Sequence, residues 1–303
     1  MLPPQTSIGH VHLVVADLAS VRSFYQDALG FKVAGMVGDT TFLSSTGQYP
    51  FLLLLTHRSD ARPRPRRSAG LYHFAILFPS RADLAGALRR LLEVGWPLEG
   101  ASDHGVSEAI YLHDPEGNGI EIYADRDRGR WPRRGSDLAM WTQPLDVDAL
   151  LATARSGWEG MPTATRVGHI HLHVGDLHRS EAFYSGVLGF DVMVRAYPGA
   201  LFLAAGGYHH HIGLNIWAGP NVPPADPQTR GLRAFAVRLP DRDALADAVR
   251  RVRDAGVEIE AATDHGYHLT VTMRDPDGIG VSLVAERAGQ QTWKEEPIDP
   301  NDL

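Results

Sequence analysis

Apolar positions along this chain recur with two periods, and the periods alternate in a fixed order. Ile8–Val15 (IGHVHLVV) is apolar and β-branched, which predicts a strand. Asp17 follows as an N-cap, opening a helix that ends at Gly30. Phe31–Val37, Thr40–Ser45 and Tyr49–Thr56 read as three further strands. The order then restarts with a strand at Tyr72–Phe78 and a helix from Ser80 to Val94, Ser80 and Asp83 forming a capping-box-like start. Pro97–Gly100, Ser107–His113 and Gly119–Ala124 supply three more strands, with a turn at Asp114-Pro115-Glu116-Gly117 between the last two. The unit is βαβββ, used twice.

The whole arrangement then repeats. Ile8–Val33 (IGHVHLVVADLASVRSFYQDALGFKV) returns as Val167–Val192 (VGHIHLHVGDLHRSEAFYSGVLGFDV), an offset of 159 residues. The segment from Leu71 (LYHFAILFPSRADLAGALRR) returns from Leu232 (LRAFAVRLPDRDALADAVRR), and SDHGVSEAIYLHDPEGNGIEIYADR from Ser102 returns as TDHGYHLTVTMRDPDGIGVSLVAER from Thr263, both at an offset of 161. Repetition on this scale means two copies of one fold. The expected division is a first domain over residues 1–130, a linker over 131–160, a second domain over 161–290 and a tail over 291–303. Asp146–Ala154 reads as a short capped helix inside the linker. The fold class is α+β, two βαβββ modules per domain.

Composition narrows the function. Apolar residues make up 44% and charged residues 21% of 303, enough to bury two cores. The net charge of -7 argues against a protein that coats nucleic acid. The basic run Arg58–Arg67 is broken by prolines and reads as a loop. No apolar run reaches the ~18–20 residues of a membrane span, and Met1–Ser7 carries no signal pattern, so the expectation is a cytoplasmic protein with no membrane or nucleic-acid partner. With 0 cysteines, any metal must be held by histidine, carboxylate or oxygen, and 15 histidines make one worth seeking.

The H-x-H-L-x-V-x-D-L…FY…LGF block, with the ending DPEGNGIEIY, resembles the vicinal-oxygen-chelate superfamily of glyoxalases, bleomycin-resistance proteins and extradiol dioxygenases. GLYHFAI, SDHGVSEAIYLHDPEGNGIEIYADR and GGYHHHIGLNIW resemble its catechol-2,3-dioxygenase-like branch in particular. The resemblance spans nearly the whole chain except linker and tail. It implies modules that wrap their sheets into half-open barrels, with a metal in the cleft. Ligands would come from the first strand of each module and the last strand of the second. Carried over position by position, these are His10, His73 and Glu121. The second copy has His169, Ala234 and Ser282 at the same positions, so the expectation is a metal site in the first domain and a structural second domain. In the better-known two-domain ring-cleaving enzymes the order is the reverse.

Two histidines and one carboxylate on one octahedral face leave three positions open, the arrangement of non-haem Fe(II) oxygenases. Taken alone, each residue has a plainer reading. Alternation lets Ile120 and Ile122 face a core while Glu121 faces water, and a single strand histidine is usually a packing residue. The resemblance further implies that Tyr111, ten residues before Glu121, hydrogen-bonds a bound catecholate; the second copy has Thr272 there. His104 in the DHG turn is a candidate proton carrier, although His265 repeats it in the degenerate copy. His57, before the Arg/Pro loop, is a further acid–base candidate. His209-His210-His211 is a poor metal motif, because alternation sends His210 to the face opposite its neighbours. His169, His171 and His173 share one strand face. The implied activity is extradiol ring cleavage of an aromatic diol with O2, using Fe(II), with Mn(II) as the alternative and Zn(II) as an ion acquired on expression. A homo-oligomer is compatible. Two other readings use the same scaffold: a glyoxalase-like isomerase or epimerase, for which Tyr49–Thr56 offers no fourth carboxylate ligand, and a metal-free binding protein.

Overall fold

A computed structural model describes residues 1–135, 137–155, 157–224, 226–287 and 292–303. Residues 136 and 156 of the expected linker, 225 and 288–290 of the expected second domain, and 291 at the start of the tail lie outside the described residues. The first module is β1 (Ser7–Val15), α1 (Leu18–Ser23), β2 (Lys32–Val37), β3 (Thr40–Ser44) and β4 (Leu53–His57). The second is β5 (Gly70–Leu77), α2 (Arg81–Glu93), β6 (Leu98–Asp103), β7 (Ser107–His113) and β8 (Gly119–Asp125). A short helix, α3 (Val147–Leu151), follows. The third module is β9 (Arg166–His173), α4 (Leu177–Glu181), β10 (Asp191–Val194), β11 (Ala200–Ala204) and β12 (Ile212–Asn215). The fourth is β13 (Gly231–Leu239), α5 (Arg242–Asp254), β14 (Ile259–Asp264), β15 (His268–Arg274) and β16 (Gly280–Glu286).

Capping and burial explain the helices. Asp17, Ser80, Asp146, Asp176 and Asp241 each accept a backbone N–H of the first turn. In α2, Leu84, Ala85, Leu88 and Leu91 form one buried stripe. The repeated Phe-Tyr pair lies in a π-helical turn after α1 and again after α4. There Tyr25 donates to Asp114 Oδ2 at 3.2 Å and Tyr184 to Asp275 Oδ2 at 2.9 Å. Each of these aspartates also receives backbone N–H groups of its own turn. The Phe-Tyr and Asp-Pro motifs are thus joined as a clamp between helix and turn. The strand expected from Tyr49 begins only at Leu53, after Pro50, which has no N–H for a ladder.

The modules pair across the repeat. One sheet runs β2-β3-β4-β1-β13-β16-β15-β14 and the other β6-β7-β8-β5-β9-β12-β11-β10. Each is extended to nine strands by a two-residue strand, Glu296–Pro297 beside β14 and Gln143–Pro144 beside β6. Within a module the first and last strands are parallel; where modules meet, β1 lies antiparallel to β13 and β5 antiparallel to β9. The first strand of every module therefore has both edges covered, one by its own module and one by a module from the other half of the chain. Linker and tail play equivalent parts: Trp141 and Trp293 precede the two added strands. A continuous core that includes Leu13, Phe74, Ile122, Leu172 and Phe235 unites both halves. No helix among the described residues is long and apolar enough to cross a membrane.

Candidate metal centre

The register of the second sheet brings three ligand-bearing side chains together. Ala75 on β5 is the Cα partner of Glu121 on β8 and of His169 on β9. His73 stands two residues before Ala75, on the same strand face. The small Ala75 side chain leaves space between them. The ligand atoms of His73, Glu121 and His169 all lie within 4.8 Å of one another. Glu121 Oε2 is 3.1 Å from His73 Nε2 and 3.2 Å from His169 Nε2. All three residues are buried, with 6%, 3% and 1% exposure.

Burial by itself would push the Glu121 carboxyl up, but His169 and then His73 outweigh it and hold the group well below the usual carboxylate range. His169 is lowered from 6.5 to about 4, chiefly by burial and against the pull of Glu121. At neutral pH the Glu121 carboxylate is ionised and the His169 imidazole is neutral, the forms that bind a divalent cation. His73 Nε2 makes no hydrogen bond despite its closeness to Glu121, and His169 Nδ1 and His171 Nε2 also have none. A buried charge with an orphaned imidazole nitrogen aimed at it is what a cation would satisfy.

The expectation for His10 needs correcting. His10 lies on β1, in the other sheet, with its ring 6.1 Å from that of His268. Because β1 joins β13, His10 keeps company with the module carrying Ala234 and Ser282, the positions that lack ligands. His169 takes the third place. His57 is exposed at the end of β4, in the same sheet as His10, and stands outside the cluster. The site therefore draws on both copies of the repeat.

Tyr111 and His104 are at the cluster. Tyr111 on β7 pairs with Glu121 across the ladder, and burial together with Glu121 raises its phenol well above the ordinary value. Its hydroxyl lies 2.6 Å from His104 Nε2, while His104 Nδ1 lies 2.8 Å from the Trp141 carbonyl. A carbonyl only accepts, so Nδ1 carries the proton and Nε2 accepts from Tyr111. In the other sheet Thr272 and Ser282 occupy the paired positions.

His210 is a functional candidate that sequence reasoning missed. In the turn before β12 it alone of the three consecutive histidines lines the cleft, where its ring centre is 4.1 Å from that of His169. His209 Nε2 is 3.0 Å from Asp125 Oδ1, and His209 Nδ1 is 2.8 Å from His210 Nδ1. The carboxylate fixes the direction: His209 donates to Asp125 and accepts from His210, leaving His210 Nε2 with a lone pair. The cleft itself is a cavity of ≈ 390 Å³, with Tyr72, Trp141, Tyr197, Phe202 and Trp217 in its walls.

Comparison with known proteins identifies the family. Residues 7–122 and 166–283 match the family described as the Glyoxalase/Bleomycin resistance protein/Dioxygenase superfamily. A catechol-2,3-dioxygenase of Bacillus subtilis (strain 168) is 46% identical over 269 residues, 87% of this chain and 93% of that protein. Biphenyl-2,3-diol 1,2-dioxygenase 3 of Rhodococcus globerulus is 32% identical over 41% of this chain and 64% of its own length. Among solved structures, a putative dioxygenase from Bacillus subtilis has a TM-score of 0.65 at 14% identity, covering 93% of this chain and 86% of that one. Glyoxalase I of Zea mays has a TM-score of 0.58 at 18% identity, covering 93% and 92%; these two likenesses concern the fold. The chain belongs to the glyoxalase/bleomycin resistance/dioxygenase superfamily, in its catechol-2,3-dioxygenase-like branch. It is an enzyme of the extradiol dioxygenase class.

Proposed function

We propose that this enzyme opens an aromatic ring next to a pair of vicinal hydroxyls, inserting both atoms of O2. The carbon–carbon bond beside the diol breaks; one carbon becomes a carboxylate and the other a carbonyl, and no external reductant is consumed. The observation that carries this reading is the cluster of His73, Glu121 and His169, of which His73 and Glu121 line one aromatic-walled cavity together with Tyr111 and His210.

His73, His169 and Glu121 would hold the divalent cation, Fe(II) in preference and Mn(II) as the alternative. A cation in such a facial site supplies charge stabilisation for a bound diolate and a redox path to O2. His210 Nε2 is placed to take a proton from an entering diol, its basicity set by the hydrogen bonds through His209 to Asp125. Tyr111 orients the substrate oxygen nearest Glu121, and His104, accepting from the phenol, fixes its direction. The apolar walls exclude water, which strengthens each of these polar contacts. Protein loaded with Fe(II) without air, mixed with catechols and then exposed to O2, should form a yellow ring-opened product with uptake of one O2 per diol. Iron-replete protein that leaves a broad catechol panel untouched would refute the reading.

A further inference from the structure

A second cavity, of ≈ 480 Å³, shares no lining residue with the metal cleft. It is bounded by the segment before β1, the start of β9, the end of β13 and the turn before β12, so both halves of the chain build it. Its walls carry three guanidinium groups, from Arg128, Arg166 and Arg238, and one carboxylate, Glu286. That carboxylate is already engaged, with Arg238 at 2.5 Å. Arg128 donates to the Gly206 carbonyl and packs on the Trp131 ring, but neither it nor Arg166 is ion-paired among the described residues. The chain as a whole carries a net charge of -7. Two unneutralised guanidiniums at one recess of an acidic protein concentrate a positive potential there and draw in an anion.

Neutral donors stand beside the charges. Thr6 is 2% exposed and lines the cavity, yet its hydroxyl has no hydrogen-bond partner. A buried hydroxyl left unpaired is costly, and an acceptor in the cavity would satisfy it. His211 Nδ1 accepts the Ala205 N–H at 3.2 Å, so the proton of the neutral ring is on Nε2, which can only donate. Guanidinium groups fit a carboxylate or a phosphate equally well. The remaining wall decides between them. Pro4, Val167, Ala205, Leu239 and Pro240 give an apolar lining with far more room than an inorganic oxyanion fills. The occupant this wall suits has an anionic head and a hydrocarbon body.

We propose that this cavity binds a small organic carboxylate, its head paired with Arg128 and Arg166 and hydrogen-bonded by Thr6, its carbon chain against Val167, Leu239 and Pro240. The site stands independently of the dioxygenase reading. Its probes are hexanoate, the uncharged counterpart hexanol, and inorganic phosphate, each titrated calorimetrically into the full-length protein. Hexanoate should bind once per chain with a Kd of roughly 10 mM or tighter, and hexanol and phosphate at least about tenfold more weakly. Arg166 is exposed at the start of β9, so Arg166→Ala should fold normally and weaken hexanoate by about tenfold. Thr6→Val keeps the side-chain shape and should weaken it by about threefold. Hexanoate should also raise the Tm of the wild type, and do so less in Arg166→Ala. Absence of saturable hexanoate binding would overturn the proposal, as would binding that Arg166→Ala leaves intact, which would place the ligand elsewhere. Phosphate bound more tightly than hexanoate would overturn the organic class of the ligand, and unchanged affinity in Thr6→Val would overturn the part given to that hydroxyl.

Discussion

His73 and His169 act on the same Glu121 oxygen from two strands of different halves, whereas His10 sits in the other sheet. The three histidines therefore make different forecasts. Purified protein should carry about one divalent ion per chain. His73→Ala and His169→Ala should each reduce that to background, and His10→Ala should leave it unchanged, all by elemental analysis. Loss of metal in His10→Ala alone would contradict the assigned site. Tyr111→Phe removes a hydroxyl and no ligand. It should retain metal and lose roughly a hundredfold in kcat, in the range of one lost proton-handling group, as measured by steady-state turnover. His73, Glu121, Tyr111 and His104 entered the sequence reading through the family resemblance, and so did His10, which lies in the other sheet; a resemblance fixes positions within a module but not which modules pair. The place of His210 was not legible, because nothing in three adjacent histidines says which face of β12's approach looks into a cleft.

At the scale of the element, one glycine shows how the ladder positions a ligand. Gly119 opens β8, and a Cβ there would lie 2.1 Å from the Tyr72 carbonyl oxygen and 3.2 Å from His73 Cβ. Its counterpart Gly280 opens β16, where a Cβ would lie 2.4 Å from the Arg233 carbonyl oxygen and 2.9 Å from Ala234 Cβ. Both obstacles are backbone, which cannot swing aside. Gly119→Ala and Gly280→Ala should each cost roughly 1–3 kcal/mol by overpacking, read as a lower Tm. Only Gly119→Ala should also weaken metal retention, because only there does the displaced strand carry a proposed ligand, Glu121. The strands and helices themselves were legible from period and capping. The partner of each module was not: β1, β5, β9 and β13 all present an apolar strand with a free outer edge, and pattern alone does not say which edge meets which.

For the whole molecule, the histidines outside the site set the response to acid. His10, His12 and His268 are each lowered from 6.5 to about 3, chiefly by burial; nearby His12 and His265 add to this for His10, Arg233 for His12, and His10 and His265 for His268. Below 6.5 the unfolded chain takes up these protons and the folded chain does not. Their contribution to stability is thus complete above 6.5 and is lost as the pH falls toward 3. Each costs up to about 1.4 kcal/mol per pH unit in that window, less for His10 and His12, which keep partial solvent contact. Tm should fall from pH 6.5 to 4.5, and His268→Gln should make that fall shallower; an identical slope in the variant would contradict this origin.

The pairing of modules across the repeat leads to a sharper forecast for half of the chain. Residues 1–160 contain His73 and Glu121 but not β9 with His169, and they leave the outer edges of β1 and β5 uncovered. A monomer of this fragment lacks both its third ligand and its sheet partners, and open edges of that length drive association. Two copies can satisfy each other, since β1 has the same pattern as β9 and carries His10 where β9 carries His169. With β1 of one copy beside β5 of the other, each of two clefts would receive His10 from one chain and His73 and Glu121 from its partner. The fragment should then run as a dimer by light scattering with about one ion per chain. His10→Ala should abolish metal binding in the fragment while leaving the full-length protein unaffected. A fragment that binds metal as a monomer, or a dimer that keeps its metal after His10→Ala, would show that the two halves are not interchangeable partners and that the cross-paired sheets do not determine where the ligands meet.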